Sequence, residues 1–153
     1  MKNVITALNL VTLDVIYSGL RRLPGLGEEV ATTQLDLALG GGPVAALAAA
    51  GRLGAEVRLA TCLGRDRFSA IARELLDQEG VPYRSFDARI RAGRSPVNVS
   101  SVMSLQGADR SFLSYFPDTA FYTDPSEEVF RFLGEGDYCI ASAPNGSAPR
   151  RSS

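Results

Sequence analysis

Histidine is missing from all 153 residues. That excludes serine–histidine and cysteine–histidine catalysis and the usual zinc sites. Lysine is nearly missing too. Of 16 basic residues only Lys2 is lysine, and 17 acidic residues bring the net charge to −1. A chain so balanced has no basic field for nucleic acid and no acidic tail. The arginine preference reads as a compositional bias of the source. No apolar run reaches the roughly 18 residues a membrane span needs. The N-terminal MKNVITALNLVTLDVIY is interrupted by Asn9 and Asp14 and lacks a small-residue cleavage site, so it reads as strand rather than signal peptide. There are 2 cysteines, Cys62 and Cys139, each inside an apolar strand-like run. They read as buried free thiols in a reducing cytoplasm, and no metal motif includes them.

What remains is an ordinary globular composition, with 45% hydrophobic and 22% charged residues, in a length that suits one domain with a real core. Val4 to Leu8 predicts a strand, and Val11 to Tyr17 a second extended piece with Asp14 in its middle. RRLPGLGEE is a loop, and Val30 to Leu39 predicts another strand. A helix is expected from about Val44 to Leu53, stopped by Gly54. EVRLATCL, from Glu56, predicts a strand. Asp66 is placed to cap a helix whose Phe68, Ile71, Ala72, Leu75 and Leu76 share one face. Gly80 ends that helix, and Val81 to Ile90 reads as extended. Val97 to Leu105 and Ser111 to Phe116 alternate around a turn at Gln106 to Asp109, a hairpin by pattern. Its polar face is either wet or covers a ligand. Ser126 is placed to cap a short helix, SEEVFRFL, and DYCIA, 137–141, reads as a buried strand. The tail SAPNGSAPRRSS, 142–153, is expected to be disordered. Strands joined by helices imply an α/β sheet layered with helices, and the surplus strands a separate small sheet.

The stretch GGGP at 40–43 bares the backbone just ahead of a helix. The glycines either allow a tight turn or hold a ligand's oxygens against the first helical amides, where Pro43 loses nothing by lacking an N–H. With LD at 13–14, PGLGEEV at 24–30, GRLGAEV at 51–57, LGRDRF at 63–68, LLDQEGV at 75–81 and the QGADR turn, the order over about residues 2–120 resembles the N-terminal half of a PfkB/ribokinase-family carbohydrate kinase. GGGP followed by small residues is also similar to the sulfofructose kinase branch. The resemblance implies a ribokinase-like layered α/β sheet over residues 1–141. It also implies a small β-sheet lid built from strands near 11–17, 30–39, 96–105 and 110–116, often a homodimer contact. It implies that Asp14 hydrogen-bonds sugar hydroxyls and that two of Gly40, Gly41 and Gly42 approach the sugar through backbone amides. Asn98, Arg94 and Arg110 fall near the expected lid. Asn98 is taken as a further substrate contact, and each of the three also has a plain reading as a solvated polar residue.

The sequence departs from the family pattern in four places. Asn9 stands where a glycine often ends the first strand. Ala45 and Ala46 occupy the region of a sugar-binding asparagine. Ser69 replaces the second glycine of G-x-D-x-x-G. The late GAGD segment, whose aspartate is the family's general base and whose glycines form its anion hole, does not occur. The expected function is therefore a truncated sugar or sugar-derivative kinase. Its parent reaction uses ATP and Mg²⁺, and this chain keeps the sugar side, binds neither cofactor and is inactive alone, with no catalytic residue and no metal ligand assigned. The expected ligand is a sugar or acidic sugar, with no nucleic acid and no membrane as partner, and the expected location is cytoplasmic. A non-catalytic dimerising module is the alternative. A dinucleotide-binding domain ranks third, because the glycines follow a later strand and do not form G-x-G-x-x-G.

Overall fold

The structure, a computed structural model, describes residues 3–86, 95–117, 121 and 125–141. Expectations for the 142–153 tail, for Arg94 and for the extended piece beyond Phe86 lie outside them. Strands and helices run in the order β1 (Val4–Leu8), β2 (Thr12–Leu20), β3 (Gln34–Gly40), α1 (Gly42–Arg52), β4 (Glu56–Thr61), α2 (Arg67–Gln78), β5 (Tyr83–Ser85), β6 (Asn98–Leu105), β7 (Arg110–Tyr115), α3 (Glu127–Leu133) and β8 (Tyr138–Ala141). They build two four-stranded sheets, β5-β4-β1-β8 and β3-β2-β6-β7.

The first sheet is parallel throughout. Alternate residues of its central strands feed two cores. Ala7, Val57 and Leu59 meet Val44 and Leu47 of α1 and Ala72 and Leu76 of α2. Leu8, Ala60 and Cys62 meet Val129 and Phe132 of α3 on the other face. This is why β1 and β4 read as near-continuous apolar runs: both faces are covered. Buried Thr6 satisfies its hydroxyl by donating to the Leu133 carbonyl at 3.0 Å and lies within 3.2 Å of the Tyr138 carbonyl, tying β1 to the end of α3 and to β8.

Local signals fix the helices. Asp66 caps α2 by accepting from the Ser69 amide at 3.1 Å. Its other oxygen accepts from the Ser69 hydroxyl at 2.6 Å, and that hydroxyl accepts from the Gly64 amide at 2.9 Å. Ser69 thus closes the turn in which the family pattern carries a glycine. Ser126 caps α3 through the Val129 amide at 3.4 Å.

Two expectations about burial change. Cys62 is buried, but Cys139 is exposed. DYCIA was expected as a buried strand, yet among the described residues β8 pairs only with β1, and Tyr138 is 60% exposed. An apolar run has the same composition at the edge of a sheet as in its middle, so composition alone misplaces both residues.

Candidate functional site

In the second sheet β2 is central. It runs antiparallel to β3 and parallel to β6, and β6 is antiparallel to β7. Register assigns the faces, because side chains alternate along each strand. Asp14 lies opposite Ala38 and Ser100, and Ser100 opposite Ser114. Thr12, Asp14, Asn98, Ser100, Ser114 and Arg110 therefore share one face. The other carries Leu13, Val15, Tyr17, Leu35, Leu37 and Leu113, and Leu13 and Leu39 at its base join the core under α1 and α2. Ile16, Val102 and Phe112 also fall on the first face and Ser101 and Ser111 on the second, so the polar/apolar split is incomplete along the sheet.

Short contacts gather the polar face at its base. Asn98 donates from Nδ2 to Thr12 Oγ1 at 3.2 Å, and its backbone amide donates to the Val11 carbonyl at 2.9 Å. Asn98 is almost fully buried, so its first duty is to pin β6 to β2. Ser100 and Ser114 hydroxyls are 2.8 Å apart.

The three glycines differ in what surrounds them. A Cβ on Gly40 would fall 2.7 Å from Asp14 Cγ, so the bare backbone is what lets the carboxylate lie against the end of β3. Gly41 has φ +97° and caps α1 with no side-chain hydrogen bond; a Cβ there would sit 2.8 Å from Asn9 Nδ2. Only glycine adopts that backbone readily. Gly42 faces open space, with nothing within 4 Å of a Cβ. The first amides of α1 are left for another acceptor, as the N-terminus of any helix leaves them unless a side chain intervenes.

Asp14, Gly40 and Gly41 thus meet where β2, β3 and α1 join, and Asn98 and Thr12 adjoin them. Burial raises the Asp14 pKa above 3.8, and the nearby positive charge of Arg110 opposes that rise. Among the described residues no hydrogen-bond donor faces the Asp14 carboxylate, so its acceptor sites are available to hydroxyls. Sequence reasoning passed over Asn9 as a mere departure and did not see Thr12. Both belong to this junction, and an asparagine at the end of a buried strand was the available signal. Away from the junction, the exposed Glu28 accepts from Arg22 at 2.5 Å and the exposed Glu128 pairs with Arg84.

A groove of about 330 Å³ lies elsewhere, on the apolar side between β3, α1 and α2, lined by Leu37, Leu39, Val44 and Leu75 among others. It includes none of the polar junction residues. The glycines follow β3, an antiparallel strand at the edge of the second sheet, and not a strand of the parallel sheet, which removes the geometry a dinucleotide turn requires.

A parallel sheet layered with helices, plus a small sheet that gathers Thr12, Asp14 and Asn98 where it meets α1, defines a two-sheet α/β protein of the ribokinase fold. The pattern describing the pfkB family carbohydrate kinases matches residues 5–152, and the chain belongs to that family. Among solved structures it is similar to an Arabidopsis thaliana ribokinase complexed with ribose and ATP (17% identity, TM-score 0.70, 92% of this chain and 45% of that one). It is also similar to a putative ribokinase from Agrobacterium tumefaciens (15%, 0.63, 76% and 37%) and to a fructokinase with bound ATP from Xylella fastidiosa (20%, 0.51, 75% and 33%). The chain spans less than half the length of each. No curated protein sequence matches it.

Proposed function

We propose that this chain is the sugar-binding side of a sugar kinase, in which the second sheet acts as a lid over the ligand. The observation that carries the reading is the Asp14 carboxylate resting against the bare backbone of Gly40 at the uncapped start of α1. In this reading Asp14 accepts hydrogen bonds from sugar hydroxyls. The Gly41 and Gly42 backbone lets the sugar approach, with first-turn amides donating to its oxygens. Asn98 sets the lid strand beside Thr12 and bounds the site.

The parent reaction moves the γ-phosphate of ATP to a sugar hydroxyl with Mg²⁺, and such transfers depend on positioning and charge stabilisation. The described residues contain no group of three or more His, Cys, Asp or Glu side chains that could hold a metal ion. The sequence contains no GAGD. In this reading the described residues supply the sugar side of the site, and none of them is assigned the role of nucleotide holder or general base.

A thermal-shift series tests this. Ribose, fructose or gluconate at about 100 Kd should add about 2.7 kcal/mol of stability, which for a chain of this size is roughly 5–10 °C. ATP with Mg²⁺ should add nothing, and Asp14→Asn should erase the sugar response. A shift with ATP but with no sugar would sink the proposal.

The second reading, a dimerising module, is favoured by the apolar face of the lid. Leu35 is 62% and Leu113 72% exposed, with Leu37, Tyr17 and Tyr115 beside them. A patch of that kind marks an association surface, and we assign it to a homodimer joined lid to lid. Among the described residues no helix is long and apolar enough to cross a membrane, and a cytoplasmic location is part of the proposal.

A further inference from the structure

We propose that Ser95 is a positioning residue for the Asp14 site, fastening the β6–β7 hairpin to the turn at the head of α2. The consequence for affinity rests on the sugar-binding reading; the fastening does not. The turn, Gly64–Asp66, is held from several sides. The Gly64 amide donates to the Ser69 hydroxyl at 2.9 Å. Arg73 donates to the Gly64 carbonyl at 2.7 Å and to the Leu63 carbonyl at 3.3 Å, and the Leu63 amide donates to the Ser85 hydroxyl at 2.9 Å. Residues of α2 and β5 thus fix the chain on both sides of Gly64. A Cβ on Gly64 would lie 2.8 Å from Asp66 Oδ2 and 3.3 Å from Pro96 Cδ, so the bare backbone lets the carboxylate and the proline ring close on one point. Beside that proline, the Ser95 hydroxyl donates to the Asp66 carboxylate.

Ser95 also gathers both strands of the hairpin. Its hydroxyl accepts from the Val97 amide at 3.2 Å, which turns the chain into β6. Its carbonyl accepts from the Tyr115 hydroxyl at 3.3 Å, at the end of β7. Among the described residues β7 pairs only with β6, so the Tyr115 bond ties the far strand of the sheet back to the same residue. Val97 is wholly buried in the core under α1 and α2, and Asn98 follows it to meet Thr12 and the Val11 carbonyl. The start of β6 is therefore set in the frame of the parallel sheet. A displacement of about 1 Å there would carry to Asn98 and to Ser100, which lies opposite Asp14, and binding geometry tolerates little of it.

Hydrogen exchange of the full chain, with calorimetric titration of ribose, tests this in Ser95→Ala, Ser95→Thr and Tyr115→Phe. Ser95→Ala should speed exchange of the β6 and β7 amides about tenfold and leave those of β4 and α2 unchanged, because the lost bonds join one unit to the rest. Tyr115→Phe, a change on a partly exposed side chain, should speed β7 alone. Ribose affinity should fall about twofold to tenfold in Ser95→Ala and return in Ser95→Thr, which keeps the hydroxyl. Unchanged exchange in the hairpin overturns the inference. So does equal acceleration in β4 and α2, or no recovery with threonine, since Ser95 would then only add to general stability. Local acceleration with ribose affinity intact overturns the positioning role. If the parent chain binds no ribose, the sugar-binding reading falls, while the exchange pattern still decides whether Ser95 fastens the hairpin.

Discussion

Gly40 and Asp14 offer a double-mutant test of how the site is built. Alanine at Gly40 would put its Cβ 2.7 Å from Asp14 Cγ and 2.8 Å from Oδ1, well inside contact distance. The carboxylate must leave its position, at about 0.5–1.5 kcal/mol for an off-rotamer side chain, or β2 and β3 must part, at about 1–3 kcal/mol for overpacking. Against this, replacing a strand glycine gains about 0.4–1 kcal/mol from the unfolded state. Gly40→Ala alone should therefore be near neutral to about 2 kcal/mol destabilising. In an Asp14→Ala background the three nearest atoms are gone, and the same change should stabilise. The coupling between the two positions should be about 1–3 kcal/mol. Urea unfolding of the four proteins measures it. Equal effects of Gly40→Ala in both backgrounds would refute the reasoning, because the obstacle would then not be the carboxylate.

Other outcomes follow from neighbouring residues. Gly42→Ala should change stability by less than about 1 kcal/mol, since its Cβ enters open space while the pre-proline position offsets the helix gain; sugar binding should nonetheless weaken, and calorimetry showing full affinity would free Gly42 of any ligand role. Asp66→Ala should cost about 1–2 kcal/mol in urea unfolding by removing the α2 cap. Burial disfavours ionised Asp66, but hydrogen bonds from the Ser69 and Ser95 hydroxyls and backbone amides outweigh it and hold the pKa below 3.8; the stabilisation is complete above 3.8 and lost as pH falls through the lower folded value, so pH-dependent melts of Asp66→Asn should lack that acid limb. Asp14 has the opposite sign: its raised pKa makes stability fall as pH rises above 3.8, so Asp14→Asn should melt higher than the parent at neutral pH while losing sugar. Cys139 should react with a thiol reagent in the folded protein and Cys62 only on unfolding, as mass spectrometry of the labelled chain will show.

What the sequence disclosed was what neighbours along the chain decide. The caps at Asp66 and Ser126, the stops at Gly54 and Gly80 and the β6–β7 hairpin are all short-range, and all are in place. α1 starts at Gly42 and not Val44 because Pro43 fits the first turn. β3 starts at Gln34 and not Val30 because the Thr32 hydroxyl donates to the Ser18 carbonyl at 2.6 Å and accepts from the Gln34 amide at 3.1 Å, bending the chain before the strand. Long-range facts were hidden. Nothing near Cys139 announces a sheet edge, and nothing near Asn9 announces Gly41. The carboxylate at Asp14 was found through the family pattern, but its contact with Gly40 depends on the β2–β3 register, which no single strand contains.

The parallel pairing of β2 with β6 also orders events in time. The Asn98–Thr12 hydrogen bond joins residues 86 apart in sequence, and the Val4 amide finds the Asp137 carboxylate across 133. On the ribosome, β2 and β3 emerge early as a hairpin with Asp14 already carried on it. Their third strand is not yet made, and non-local pairs of this kind form slowly. A nascent chain stalled ahead of Asn98 holds the glycines and the carboxylate but not the strand that fixes their spacing. The Asp14 junction is thus completed only after the chain has passed through a stage with an open strand edge beside an apolar face, the interval in which aggregation competes with folding.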